Sequence, residues 1–253
     1  MRSIPNRQVI FPMEHFPILY DVHHSAYQED LSFWMVLAKQ LGNPVLELGC
    51  GSGRVLLPLQ KAGIQVFGLD HDFGMLTLLR QKDAAPIFCA NMTDIPTKQT
   101  FALILLPCNT YSTLTKSQRM HLLQQVFRLL IPGGVFAVSL PNPWLLRALP
   151  TSVENEIEEI FKHPLDGHPL QVSSAWQRSK THFMITWHYD HLFPDGTVER
   201  FSIEQSHSIQ IPQDYEEEFR QANLTVFKKY GNFDQIRFRR TSPYLIYLVK
   251  KPE

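Results

Sequence analysis

Short apolar runs alternate with stretches of helical periodicity in the first half of the chain. The apolar runs predict buried strands at 45–48, 66–69, 87–89, 101–106 and 135–140, the last three hydrophobic on both faces. Helical spacing, closed in several places by glycine or proline, predicts helices at 26–41, 55–62, 73–82 and 117–130. Because strands and helices alternate, we expect a parallel sheet that is covered by helices on both faces.

The pattern changes after residue 140, where Pro141-Asn142-Pro143 interrupts the chain. An acidic helix is predicted at 153–161, followed by antiparallel strands at 172–176, 182–193 and 197–210. A helix at 213–222 and strands at 224–230 and 244–250 then return the chain to the main sheet. We therefore predict a doubly wound α/β domain over 1–253, in which residues 141–210 form an inserted antiparallel sheet that covers the substrate.

Composition and charge narrow the classes of function. The 253 residues are 44% hydrophobic and 19% charged, which is typical of a globular core. Lys plus Arg and Asp plus Glu both number 24, so the net charge of zero supplies no general attraction for nucleic acid or for an anionic membrane.

The cysteines and the apolar runs indicate the cellular compartment in which we expect the protein to work. Cys50, Cys89 and Cys108 are too few for a disulfide framework and favour a reducing environment. Residues 1–7 lead into no apolar stretch of signal-peptide length, and no apolar run approaches the ~20 residues that span a bilayer. We expect a cytoplasmic monomer or homodimer that binds neither nucleic acid nor membrane.

A glycine-rich segment follows the first predicted strand. Gly49, Gly51 and Gly53 permit a tight turn and let a ligand approach the backbone closely. Asp70 ends the next predicted strand, 19 residues beyond Gly51, where an acidic side chain can reach the two hydroxyls of a ribose. In an open sheet such a ligand lies over the carboxyl ends of the strands. The segment therefore predicts a site for a cofactor that contains a nucleoside.

Two classes of cofactor are compatible with a glycine loop in this position. The dinucleotide fingerprint, G-x-G-x-x-G/A, needs a small sixth residue for close helix packing, and Arg54 stands there in this chain. That residue disfavours a nicotinamide cofactor, although a dinucleotide-dependent oxidoreductase stays an alternative. The observed spacing, Glu47-x-Gly49-x-Gly51-x-Gly53, resembles the glycine motif of class I S-adenosylmethionine (SAM) methyltransferases.

Further segments extend the resemblance. They are Gly68-Leu69-Asp70-His71-Asp72-Phe73-Gly74-Met75-Leu76, Asn91-Met92-Thr93-Asp94 and Leu129-Leu130-Ile131-Pro132-Gly133-Gly134. Tyr20-Asp21 with Tyr27, Pro107-Cys108-Asn109-Thr110-Tyr111-Ser112 and Tyr230-Gly231-Asn232-Phe233-Asp234 are similar to the small-molecule branch, which includes the type 11 and type 25 enzymes and sugar and glycine N-methyltransferases. The resemblance implies the strand order 3-2-1-4-5-7-6, with the last strand of the chain antiparallel.

The resemblance also implies a role for individual residues. The glycine loop and Glu47 would hold the methionine part of SAM and Asp70 the ribose. Met75, Asn91 and Met92 would hold the adenine, although the branch usually has Gly-Asp-Met where this chain has Ala90-Asn91-Met92. The implied cofactor contacts are Tyr27, Glu47, Gly49, Cys50, Gly51, Gly53, Asp70, His71, Met75, Asn91, Met92 and Pro107. Tyr20 and Asn109 are predicted as catalytic residues that face the donor methyl, and Tyr111, His188 and Arg237 as substrate contacts.

Two other kinds of chemistry are disfavoured by the sequence. Pro107-Cys108 resembles the nucleophile of cytosine-ring methyltransferases, but the residues that follow it match the small-molecule branch. Among the 11 histidines, His182 and His188 share a strand face that His191 does not, so we expect no metal site.

The predicted function is therefore transfer of a methyl group from SAM to nitrogen or oxygen of a small molecule. A SAM-binding protein without turnover, a dinucleotide-dependent oxidoreductase and a nucleic-acid methyltransferase are the alternatives.

Overall fold

The structure is a computed structural model that describes residues 16–253, so the expectation about residues 1–7 lies outside the described part. The helices are α1 (Phe16–Ser25), α2 (Leu31–Leu41), α3 (Leu56–Lys61), α4 (Phe73–Lys82), α5 (Thr110–Thr113), α6 (Lys116–Leu129), α7 (Pro143–Ala148) and α8 (Pro212–Gln221). The strands are β1 (Val45–Leu48), β2 (Val66–Asp70), β3 (Ile87–Cys89), β4 (Phe101–Leu106), β5 (Leu130–Pro141), β6 (Ser152–Lys162), β7 (Pro169–Arg178), β8 (His182–Leu192), β9 (Val198–Ser208), β10 (Thr225–Tyr230) and β11 (Tyr244–Lys250). Between residues 16 and 253, no helix combines the length and the apolar character needed to cross a membrane.

The main sheet has seven strands in the order β3-β2-β1-β4-β5-β11-β10. The first five are parallel, whereas β11 is antiparallel to both of its neighbours. This arrangement confirms the predicted α/β fold and the predicted strand order. The carboxyl ends of β1, β2, β3 and β4 consequently meet at one edge of the sheet, where ligands of open α/β sheets bind.

A second sheet, antiparallel throughout, has the order β6-β7-β8-β9. Leu170, Val172 and Tyr189 on one of its faces pack against Leu19 of α1. The sheet is also tied to α5, because Ser112 Oγ and His207 Nδ1 are 2.8 Å apart. These contacts place the second sheet over α1 at the carboxyl edge of the main sheet.

A buried ion pair connects the second sheet with the main core. The guanidinium of Arg119 on α6 donates to both carboxylate oxygens of Glu218 on α8, at 2.8 Å each. It also donates to Ser208 Oγ at the end of β9 and to Gln210 Oε1 just beyond it. Arg119 is 1% exposed and Glu218 is 2% exposed, so the pair is shielded from water.

The predicted acidic helix at 153–161 is wrong: these residues belong to strand β6. Its pairing with β7 shifts register twice, between Val153 and Glu156 and between Ile157 and Glu159. Each irregularity inserts an extra residue, so the apolar positions recur at a longer interval than the two residues of a regular strand. That longer interval imitates the helical spacing. The acidic residues of this run are exposed on the strand rather than on a helix face.

Two further expectations need correction. The predicted helix at 26–41 begins only at Leu31, as α2, and helix α1, at 16–25, was not predicted. Asp30 lies just before α2, and its buried carboxylate accepts hydrogen bonds from Trp34 Nε1 and Arg54. Strand β3 was expected to be buried on both faces, but it lies at the sheet edge and is only partly covered.

Candidate active site

The glycine loop connects β1 to α3 by a turn with three residues in the left-handed region of φ. Gly49, Gly51 and Gly53 have φ values of +66°, +51° and +91°. A Cβ atom on Gly53 would lie 2.9 Å from Leu57 Cγ, so this glycine is required for packing. A Cβ atom on Gly51 would meet nothing within 4 Å. The backbone at Gly51 therefore borders open space at the edge of the sheet.

Asp70, at the end of β2, fixes this turn. One carboxylate oxygen accepts from the backbone N–H of Gly51 at 2.8 Å, and the other accepts from the backbone N–H of Asp72 at 2.9 Å. His71 is almost fully exposed and lies 3.3 Å from the same carboxylate. Asp70, the residue predicted to bind the ribose, is thus held rigidly beside Gly51. Its carboxylate oxygens keep lone pairs that can accept further hydrogen bonds.

Glu47, on β1, is the most unusual group of the site. Its side chain is buried, and its Oε2 atom has no hydrogen-bond partner among the described residues. Burial raises the pKa of this carboxyl well above its usual range, the charges of Asp30 and Asp70 add to the effect, and Arg54 opposes it. A buried carboxyl oxygen without a partner is costly and therefore indicates a missing donor.

Arg54 is a component of the site that the sequence motifs do not indicate. Its guanidinium forms a two-pronged pair with Asp30, at 2.6 and 2.8 Å, and lies 3.0 Å from Cys108 Sγ. The same group stacks over the ring of Tyr27, whose hydroxyl lies 3.1 Å from that of Tyr244. The glycine motif does not predict the pair of Arg54 with Asp30, because α2 and β1 separate Asp30 from the loop in the sequence.

Helix α1 crosses the glycine loop. Asp21 accepts from Ser52 Oγ at 2.5 Å and from Lys82 Nζ at 2.6 Å, which binds α1 to the loop and to the end of α4. Tyr20 therefore lies within electrostatic reach of the loop. Burial raises the pKa of Tyr20, the Cys108 thiol and the Asp70 carboxylate raise it further, and Arg54 lowers it.

The residues expected to contact the adenine follow β2 and β3. Met75 and Met92 are buried, and the methyl of Met92 lies 3.8 Å from the Cβ position of Gly49. Asn91 is exposed, and its carboxamide oxygen accepts from the backbone N–H and the hydroxyl of Thr93, each at 2.9 Å. Its amide NH₂ is therefore the group better placed to bind a ligand. The Cys50 side chain packs against Gly68, so only its backbone borders the turn.

The loop after β4 carries backbone strain. Pro107 ends the buried segment, and Cys108 and Asn109 both have positive φ, of 58° and 60°. Two successive non-glycine residues in this region are unfavourable and cluster at functional sites. The side chain of Asn109 does not cap α5, which leaves it available at the carboxyl edge.

Two predicted substrate contacts are not brought to this edge. Tyr111 is fully buried, and its hydroxyl donates to Glu218 in the main core. His188 lies on the far face of the second sheet, where its Nδ1 is 2.6 Å from Ser202 Oγ. Its neighbour Trp187 is on the near face and contacts His24 of α1 edge-on, because successive strand residues point to opposite faces. The third, Arg237, is exposed in the loop between β10 and β11, which lies at the carboxyl edge because β10 is parallel to the first five strands.

Comparisons with known proteins agree with this architecture. Residues 45–134 match the family described as a methyltransferase domain. A Geobacillus sp. (strain WCH70) protein that bears the name of a methyltransferase is 24% identical over 94% of this chain and 99% of its own length.

Two solved structures share the fold. A SAM-dependent methyltransferase from Clostridium acetobutylicum ATCC 824 superposes with a TM-score of 0.77 at 15% identity, covering 94% of this chain and 98% of its own. The sugar N-methyltransferase KedS8 from Streptoalloteichus sp. ATCC 53650 superposes with a TM-score of 0.78 at 16% identity, covering 100% of both chains.

The fold is that of class I methyltransferases, and the family match covers residues 45–134 of the chain. This chain is a SAM-dependent methyltransferase, as its glycine motif predicted. The residues of the site suit the cofactor, since Glu47 Oε2 lacks a donor that an ammonium group can supply and Gly51 borders open space. SAM supplies an activated methyl group on a sulfonium.

Proposed function

We propose that this enzyme methylates an amino group of a small molecule that binds between α1, the loop after β4 and the second sheet. In this proposal the glycine loop and Glu47 hold the methionine part of SAM, and Asp70 holds the ribose. Met75, Met92 and Asn91 surround the adenine. Tyr20 and Asn109 face the reacting methyl, while Trp187 takes the place on the second sheet that was expected for His188.

The lining of the proposed acceptor site is aromatic. The ring of His24 lies 4.2 Å from that of Tyr20 and 6.0 Å from that of Trp187. Tyr189, two residues along the same face as Trp187, is hydrogen-bonded to His23 at 2.9 Å. Such a lining excludes water and favours an acceptor that carries positive charge before or after the reaction.

The choice of an amine as the methyl acceptor rests on His24 and Tyr20, neither of which can act as a general base at neutral pH. Burial, with His23 and Arg54 adding to it, lowers the pKa of His24 to about 4. The pKa of Tyr20 is raised, so its phenol stays protonated at neutral pH. A hydroxyl acceptor needs a base with a pKa near the working pH, whereas an amine needs only to lose its own proton before attack. KedS8, which shares the fold, is named as a sugar N-methyltransferase, and this supports an amino sugar as the first acceptor to try.

A pair of matched acceptors tests the proposal. An amino sugar should gain one methyl group, and the congener with a hydroxyl in place of the amine should react slower by about 10²-fold or more, the usual contribution of a general base. The value of kcat/KM should rise with pH up to the pKa of the acceptor's own ammonium group, and H24Q should keep this profile. Y20F should lower kcat/KM and leave SAM affinity unchanged.

Other outcomes would count against the amine. Methylation of the hydroxyl congener at a comparable rate would overturn the choice of nitrogen. SAM binding without methylation of any acceptor would favour the alternative of a binding protein without turnover. Methylation of duplex DNA or RNA with a steep salt dependence would favour a nucleic-acid substrate.

The role proposed for Glu47 gives a pH dependence with a definite sign. Its carboxyl is protonated more readily than usual in the free protein, and a bound ammonium group would favour the carboxylate. Binding of SAM should therefore release a proton. Between pH 5.5 and 7, below the range in which an α-amino group titrates, affinity should increase with pH by up to about tenfold per unit.

Calorimetry in buffers of different ionisation enthalpy measures this release. E47Q should abolish it and weaken binding by about 1.5–3 kcal/mol, the value of a charge-assisted hydrogen bond. Equal SAM affinity at pH 5.5 and 7, with no proton released, would show that Glu47 does not meet the ammonium group.

A further inference from the structure

A cluster of imidazoles lies on the second sheet, apart from the residues assigned to SAM. The turn between β6 and β7 supplies His163, Asp166 and His168, and β8 supplies His191. The three imidazoles all lie within 3.3 Å of the Asp166 carboxylate. We propose that His163, Asp166 and His191 bind one divalent transition-metal ion of the zinc type, with His168 beside them.

The spacing of the donor atoms carries the proposal. His163 Nδ1 and His168 Nδ1 lie 3.1 and 3.3 Å from carboxylate oxygens of Asp166, and His191 Nε2 lies 3.0 Å away. In a tetrahedral zinc site with bonds of about 2.0–2.1 Å, neighbouring ligand atoms are separated by about 3.3 Å. The donor atoms of His163, Asp166 and His191 all lie within 4.8 Å of one another. A small movement of the carboxylate would open the centre for an ion.

The turn that presents His163 and Asp166 is already ordered. The backbone N–H of His163 donates to the carbonyl of His168 at 2.7 Å, and that of Gly167 donates to His163 at 2.9 Å. Gly167 has a φ of +76°, which permits the tight reversal. Asp166 also accepts from the backbone N–H of His168 at 3.0 Å. Metal binding to this turn therefore requires little additional ordering of the chain.

Burial distinguishes the cluster from a group of surface histidines. His163 and His191 are 4% and 3% exposed, and their rings are stacked at 4.1 Å. Phe193 covers one side, with its ring 4.2 Å from that of His191. Asp166 is partly exposed, which provides an approach for an ion from solvent. Two imidazoles and a carboxylate suit zinc, and water can take the fourth position of a tetrahedral site.

The role that follows is structural. His191 lies on the same face of β8 as Tyr189, two residues further along the strand. A bound ion would join the β6–β7 turn to β8 and stiffen the sheet that packs on α1. It would take no part in methyl transfer, so the inference is independent of the proposed acceptor.

The metal-free full-length protein, dialysed against a chelator, provides the test. Titration with ZnCl₂ should show one saturable site, and Co²⁺ should give the absorption bands of tetrahedral coordination. H191N and D166N should each weaken zinc affinity at least 100-fold. H188N is the matched control, because His188 lies on the same strand but on the opposite face. It should bind zinc as the unaltered protein does.

Thermal unfolding gives a second readout. Zinc should raise the Tm of the unaltered protein and of H188N, and should leave that of D166N unchanged. SAM binding by each variant checks that the fold is retained. Absence of saturable zinc binding, or equal zinc affinity in the unaltered protein and both ligand variants, would overturn the proposal and leave a hydrogen-bonded imidazole–carboxylate cluster.

Discussion

G51V should abolish measurable SAM binding. A Cβ atom at this position would meet no protein atom within 4 Å, so its branched side chain would extend into the space beside the Asp70 carboxylate. That space is where the ligand approaches the backbone in the proposed site. We expect a loss of affinity of at least about 100-fold, equivalent to about 2.7 kcal/mol, measured by calorimetry with SAM.

The matched control is G63V. Gly63 also has a positive φ, +80°, and a Cβ there would also meet nothing within 4 Å. It follows α3, at the opposite end of that helix from the glycine loop, so the backbone strain of about 1–2 kcal/mol is similar but no ligand is near. G63V should lose stability and keep SAM affinity. Tight SAM binding by G51V, or equal losses in both variants, would contradict the site.

R119M should strongly lower the free energy of unfolding of this protein. In R119M the Glu218 carboxylate stays buried between α6, α8 and the end of β9 without its cationic partner. Breaking a buried pair in this way costs about 3–5 kcal/mol, because a charge is left uncompensated. Urea denaturation should show this decrease in the free energy of unfolding.

Two variants separate the buried charge from the loss of packing. R119M/E218L removes both charges and should recover much of the stability. R220M breaks the exposed pair of Arg220 with Glu217 on the same helix α8 and should change the unfolding free energy by no more than about 1 kcal/mol. Equal destabilisation by R119M and R220M would show that burial of the first pair contributes nothing.

Local patterns were sufficient to predict the strands of the main sheet and the glycine loop, and the resemblance added the cofactor. Runs such as Val45–Leu48 and Phe101–Leu106 are buried along their whole length, so hydrophobicity alone identified them. The glycine loop and Asp70 lie at strand ends, and parallel topology brings strand ends to one edge. Their proximity therefore followed from their order along the chain. The helix predicted at 153–161 was wrong, because the two register shifts in β6 lengthen the interval between its apolar residues.

The sequence by itself determined the fold class and the position of the glycine loop, since both depend on short segments and on the rules of parallel sheets, and the strand order followed from the resemblance to class I methyltransferases. The tertiary structure decided which individual side chains reach the site. It alone shows that Tyr111 turns into the core, that Trp187 rather than His188 faces α1, and that Arg54 pairs with Asp30. A shift of one residue in strand register reverses the face that a side chain occupies. Side-chain placement between distant segments is therefore settled only when the sheets are paired.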